Sequence, residues 1–375
     1  MSHLIEENID RVFVPDQEVW RQTWHGLQTI AGERIALDGS NVQDCFCPII
    51  ECGVKPNLPR DENGHFPKIG PELEAEMKNW KLLVADCRNG LAKRFVPLHV
   101  PRDGYTVHQN KRLFDCQIAA AKQVLGENGF EIVTVGTLGG YSQFFTSIAI
   151  KGNDSFTVGE NDTWNKFFNL NSSHNGLIGS NTMLSLVRIV CFNTVQASVS
   201  DAENSGTATA IKHTKNSESL ITPERFAKDL QAWLNQADKF KAMLEIAKST
   251  PMSVDQFKTF AAGVFTNPKS DELSTNSLNR IEEMTPLFQR GRGNAGVNRY
   301  DALNAFTEYF TSGNGVGNPD RVSKSKRLAT ANFGRANDWK LEAMRVIADE
   351  PLFLETCKRG EILYTDKLKV EVVSN

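Results

Sequence analysis

Phe130-Glu-Ile-Val-Thr-Val-Gly-Thr-Leu138-Gly139-Gly140-Tyr141-Ser-Gln-Phe-Phe-Thr-Ser-Ile-Ala-Ile150 decides how the rest of the chain is read. Two runs rich in β-branched and aromatic residues flank a Gly-Gly pair, which predicts an antiparallel β-hairpin. Working outward, 156–158 and 164–170 read as further strands of the same sheet, and 171–176, Asn-Ser-Ser-His-Asn-Gly, as a loop. Upstream, Leu113, Phe114, Ile118, Ala121 and Leu125 mark a helix over 111–126 that Gly126 and Gly129 close. A strand is expected over 94–100. A helix is expected from Pro71, its stripe running Leu73, Met77, Trp80, Val84 and Cys87 to a stop at Asn89-Gly90. Residues 1–70 are broken by Pro48, Pro56, Pro59 and Pro67, with short strands expected over 34–37 and 45–50.

Downstream, the apolar run 182–195 favours a helix and 208–214 a strand. After Asn216 the pattern turns helical. Thr222 before Pro223 is an N-cap, and Phe226, Leu230, Trp233, Leu234, Ala237, Phe240 and Leu244 share one face. Ser253-Val-Asp-Gln256 is a capping box, and further helices are expected over 272–289, 298–311 and 337–349. The expected fold is therefore α+β. An antiparallel β-sheet core with a hairpin and packed helices (91–216) follows an irregular N-terminal region with one helix (1–90) and precedes a helical C-terminal region (217–375).

The chain has 375 residues, a net charge of −3 and seven cysteines. No apolar run reaches the ~18–20 residues of a membrane span. The acidic N-terminus lacks a signal-peptide pattern, and an odd set of scattered cysteines fits a reducing cytosol better than a disulfide framework. Cys45, Cys47 and Cys52 with His65 match zinc spacing poorly and read as buried thiols. The charge is segregated: residues 81–122 hold eight bases against three acids, and 286–340 hold nine against four. Two such segments folded onto one face would make a phosphate track.

Gly291-Arg-Gly-Asn-Ala-Gly296 satisfies G-x-G-x-x-G but lacks the strand and βαβ unit of a dinucleotide site. Walker A, G-x-S-x-G, H-E-x-x-H and the kinase signatures are absent. The loop reads instead as backbone amides that hold phosphate between Arg290, Arg292 and Arg299, with Tyr300 placed to stack on a base. His25, His174 and His213 are expected to be structural, hydrogen-bonded histidines. Arg188 enters an apolar element and, if buried, needs an anion. Asp201 or Glu203 would be an internal partner; a ligand phosphate between Arg188 and Lys212-His213-Thr-Lys215 would be a functional one.

Several phrases occur in order: Trp24-His-Gly-Leu27, Tyr105-x-x-x-x-Asn110, Gly139-Gly140, Asn171-x-x-His-Asn-Gly176, Arg188-Ile-Val-Cys-Phe-Asn-Thr194, Ile211-Lys-His-Thr-x-Asn216 and Ala302-Leu-Asn-Ala-x-Thr-Glu-Tyr309. Together they resemble the phage/plasmid-like proteins grouped as domain of unknown function nine-three-two. The family usually has His-Asp-Gly where this chain has His174-Asn175-Gly176, which weakens an enzymatic reading. The resemblance implies company with phage and plasmid replication and recombination modules and carries no established activity. Its hairpin-bearing core, followed by helices, is similar to the single-strand annealing proteins of phages.

The expectation is a non-catalytic, cofactor-free, metal-free binder of single-stranded DNA, or of RNA, acting as a homo-oligomer in the bacterial cytoplasm. Its contacts would come from Lys93, Arg94, Arg102, Lys111, Arg112, Arg188, Lys212, His213 and Lys215, with Arg290, Arg292, Arg299, Tyr300, Lys324, Lys326 and Arg327 beyond. The alternatives are an accessory protein working through protein contacts and a hydrolase using His174 and His213.

Overall fold

The computed structural model describes residues 9–14, 30–31, 35–54, 70–90, 92–151, 156–159, 162–176, 178–188, 194–196, 210–266, 272–311 and 335–374. The hairpin forms as read. Strands β6 (Phe130–Leu138) and β7 (Gln143–Ile150) pair antiparallel, and the turn places Gly139, Gly140 and Tyr141 at positive φ. Two adjacent left-handed positions are cheap only for glycine, so Gly-Gly is what allows this turn. Around the hairpin a large sheet assembles from β1 (Ile9–Val14), β2 (Ile30–Ala31), β8 (Phe156–Val158), β9 (Asp162–Ser173), β10 (Asn181–Arg188) and β11 (Thr194–Gln196). Its order is β11-β10-β9-β7-β6-β1-β2, with β8 on β9, and every pairing is antiparallel except β1 with β2.

The apolar run beyond residue 181 is a correction: it forms strands, not a helix. Thr182 through Leu186 are all buried, because β10 is an inner strand between β9 and β11. A run covered on both faces loses the one-sided period that separates helix from strand. Residues 171–173, read as loop, extend β9. Among the described residues of the expected strand over 208–214, only Ile211 forms a β-bridge, to Ser180; residues 201–209 lie outside the described set.

A second sheet joins β3 (Ile49–Gly53), β4 (Lys81–Asp86) and β5 (Phe95–His99), in that order. Here the helix expected from Pro71 stops after α1 (Pro71–Met77). Leu83, Val84 and Ala85 are buried in succession, as a central strand demands and a one-sided helix does not. The strand expected over 45–50 begins only at Ile49. Before it, Asp38 Oδ1 accepts from the Ser40 amide and Asn41 Oδ1 from the Ala36 amide, and a 3₁₀ turn runs over Ser40–Phe46. Residues 35–37 form no strand.

Cys47 is disulfide-bonded to Cys87, their Cα atoms 5.0 Å apart, which corrects the expectation of free thiols. The bond fastens the entry of β3 to the exit of β4. Cys45, Cys52, Cys116 and Cys357 are not disulfide-bonded. The inner face of the small sheet, through Ala85, Cys87 and Val96, packs on Tyr141 of the hairpin turn.

Helix α2 (Asn110–Leu125) packs along α3 (Pro223–Ser249), and Gln117 donates to the Phe168 carbonyl of the large sheet. Thr222 caps α3, and the Ser253–Gln256 box caps α4 (Val254–Phe265), both as expected. Helices α5 (Thr275–Arg290), α6 (Arg299–Thr311), α7 (Arg335–Ala348) and α8 (Glu350–Ser374) complete the chain. One apolar cluster runs from Phe130 and Trp164 of the sheet through Trp233 to Phe306 and Phe353 of these helices. None of the described helices is long and apolar enough to cross a membrane.

Candidate functional site

Three of the phrases that carry the family resemblance meet at the β6–β7 turn end of the large sheet. The Ser142 carbonyl accepts from the His174 amide just beyond β9, and Ile211 bridges to Ser180 before β10. Gly179 permits that bridge, since a Cβ there would lie 2.6 Å from the Ile211 carbonyl oxygen. The docked segment brings His213 against Tyr105, the rings stacked with centroids 4.6 Å apart. His108 lies 4.1 Å from the other side of His213, and His174 meets it edge-on at 5.2 Å.

Each of these rings is tied down. His108 is buried between two hydroxyls, with Nδ1 2.8 Å from Ser180 Oγ and Nε2 2.8 Å from Ser217 Oγ; Ser172 Oγ lies 2.8 Å from Ser180 Oγ. A neutral imidazole can donate to one of the two serines and accept from the other. Tyr105 Oη is 3.1 Å from His174 Nδ1, and His213 Nδ1 donates to the Thr106 carbonyl at 2.9 Å.

Burial, then the neighbouring histidines, pushes His174 down to about 3; burial, His213 and Arg112 do the same to His108. Burial also lowers His213 and raises the Tyr105 phenol. The cluster is neutral at physiological pH. His174 and His213, the pair of the hydrolase alternative, are brought together, but neither is hydrogen-bonded to a described carboxylate. The described residues contain no group of three or more metal-ligating side chains able to hold an ion.

The bases predicted to bind nucleic acid divide. At this same end, Lys93 and Arg94 are exposed on the β4–β5 loop, Arg102 is exposed beside Trp80, and Lys212 and Lys215 are exposed on either side of His213. None of these five pairs with a described carboxylate. Other bases of the 81–122 segment are neutralised: Lys81 by Glu51, Arg88 by Asp86, Lys111 by Asp115, Arg112 by Glu218 and Lys122 by Glu127. His213 is spent on the Thr106 carbonyl and the ring stack.

Of the remaining described candidates, Arg188, Arg290, Arg292, Arg299 and Tyr300 lie elsewhere, which corrects the single phosphate track. Arg188 closes β10, opposite Trp164 near the start of β9, whereas Ile211 bridges to Ser180 at the other end. At ~3.3 Å per residue the two ends of β10 are roughly 25 Å apart, so Arg188 and Lys212–Lys215 are not neighbours. Arg188's side chain, and Lys324, Lys326 and Arg327, lie outside the described residues.

Tyr300 sits with Trp164, 1% exposed; its hydroxyl donates to Asp162 at 2.6 Å and accepts from Trp164 Nε1 at 3.0 Å. A ring so enclosed cannot stack on a base. Arg299 is buried, pairs through both terminal nitrogens with Glu350 and lies 3.7 Å from the Phe353 ring centre. The glycine loop is also occupied internally: Glu308 accepts from the Arg292 amide and Asp301 from the Val297 amide, so these amides cannot cradle a phosphate. Arg290 and Arg292 are exposed at that loop.

His108 and its serines escaped sequence reasoning. His108 lies within the phrase Tyr105–Asn110, but nothing in a single chain marks it as the partner of residues 72 and 109 positions away.

The architecture is thus that of an α+β protein with a neutral tyrosine–histidine–serine network at one end of its main sheet, rimmed by exposed bases. The chain belongs to the DUF932 family, a domain of unknown function, whose model matches residues 97–333. No curated protein and no solved structure matches the chain.

Proposed function

We propose that the protein is a non-catalytic, cofactor-free binder of single-stranded DNA. It acts as a homo-oligomer in the bacterial cytoplasm, in phage or plasmid recombination or replication, and holds a strand open for annealing. The observation that carries this reading is the gathering of Lys93, Arg94, Arg102, Lys212 and Lys215 around one end of the sheet with no described carboxylate to neutralise them. Unpaired surface cations cost little when they face water and gain by releasing counterions when they meet phosphates.

A salt-titrated shift assay with single- and double-stranded oligonucleotides tests the proposal. With four to six phosphates neutralised, the log–log slope for single strands should be roughly −3 to −4, with tighter binding than to duplex. Absence of binding at low salt would remove the reading and leave contacts with other proteins as the function.

A further inference from the structure

Resting on that nucleic-acid reading, we propose that the outer face of the three-stranded sheet is a base-stacking platform for unpaired nucleobases, with Trp80 and Phe95 as its two posts. Paired residues of an antiparallel sheet share a face, and faces alternate along each strand. The register pairs Ile50 with Val84, Cys52 with Leu82, Val84 with Pro97 and Asp86 with Phe95, while Trp80 bridges to Arg102. These residues therefore lie on one side, and Ile49, Leu83, Ala85 and Val96, all buried, on the other.

The outer side is mostly apolar, with Val84 buried at its centre and its margins open. Phe95 is 45% exposed and Ile50 37%, and Trp80, Leu82 and Cys52 are partly exposed. Each end carries an arginine over an aromatic ring: Arg102 lies 5.3 Å from the Trp80 ring centre and Arg88 4.3 Å from that of Phe95. The two posts stand a strand length apart, about 20 Å.

Charge selects the occupant. Lys93, Arg94 and Arg102 rim the face with no described carboxylate paired to them; Arg88 is held by Asp86, and Trp80 Nε1 donates to Glu76 at 3.3 Å. An apolar peptide would leave the free cations unanswered. A single strand answers both features, with phosphates on the rim and bases on the rings. A duplex keeps its bases stacked inside and has none to offer.

The test compares the full chain's affinity for oligo(dT) of about 16 nucleotides with that for an abasic oligomer of equal length, which has the same phosphates and no bases. The unmodified protein should prefer oligo(dT) by at least tenfold. Trp80→Leu and Phe95→Leu, which keep an apolar side chain, should each weaken oligo(dT) binding about 5- to 100-fold. Neither should alter abasic binding or the salt slope. Arg102→Ala should flatten the slope for both oligomers by about 0.7.

Equal affinity of the unmodified protein for the two oligomers overturns the platform while leaving phosphate binding intact, and needs no variant to fold. So does a Phe95→Leu protein that melts normally and keeps the full preference. Failure to bind either oligomer at low salt overturns both the platform and the reading beneath it.

Discussion

The two ends of β9 hold polar networks built from the same kinds of parts and put to different ends. At the start of the strand, Trp164 Nε1, Tyr300 Oη and Asp162 form a chain of hydrogen bonds closed off from water, with the Arg299–Glu350 pair nearby in sequence. Beyond its last residue, His174 joins Tyr105, His108 and His213 in a network whose outer members, Tyr105 and His213, are only half-buried and are flanked by exposed Lys212 and Lys215. The first end joins sheet to helices. The second joins three of the phrases that carry the family resemblance and leaves cations facing solvent. An arginine or a tyrosine in the sequence says nothing about which end it serves; the difference lies in whether a carboxylate waits inside the fold.

The largest effect that separates the ends is acid sensitivity. His108 and His174 are held at about 3 against an ordinary 6.5, so between those values the folded protein binds fewer protons than the unfolded chain. The contribution of these two histidines to stability is therefore complete above about pH 6.5 and is lost as pH drops toward 3, by on the order of several kcal/mol. Denaturant unfolding across that range should show the loss, and His174→Gln should make the slope shallower. A His174→Gln protein with an unchanged pH slope would show that the ring titrates as freely in the fold as out of it.

Next in size, Tyr300→Phe strips a hydroxyl from between Asp162 and Trp164. It should cost ~1–3 kcal/mol in stability and leave oligonucleotide affinity and salt slope alone. Weakened binding in a folded Tyr300→Phe protein would return this end to the interface. Arg299→Met should behave in the same way, because its charge is already answered by Glu350.

Smallest in stability, and opposite in kind, is the double change Lys212→Ala with Lys215→Ala. Exposed side chains without partners should shift unfolding by no more than ~0.5 kcal/mol. The salt slope for single strands should nevertheless flatten by about 1.4. If the slope holds, the bases that matter are those of the β4–β5 loop.

Local chemistry in the sequence was sufficient for the hairpin, for α2 with its Gly126 stop, and for the Thr222 and Ser253 caps, because each depends on residues a few positions apart. It was also sufficient to single out Tyr105, His174 and His213 as parts of the phrases that carry the family resemblance, and to locate the surplus of bases. It misread 182–188, where burial on both faces erases the period that a one-sided element would show, and 81–86, where Leu83, Val84 and Ala85 are buried in succession. It assigned Arg299 and Tyr300 to a ligand because Glu350 and Asp162, which satisfy them, lie 51 and 138 residues away. Only the tertiary structure decided which cations remain unanswered, which face of β4 looks outward, and that His108 completes the cluster. Each of these depends on strand register and long-range pairing, which a run of neighbouring residues does not contain.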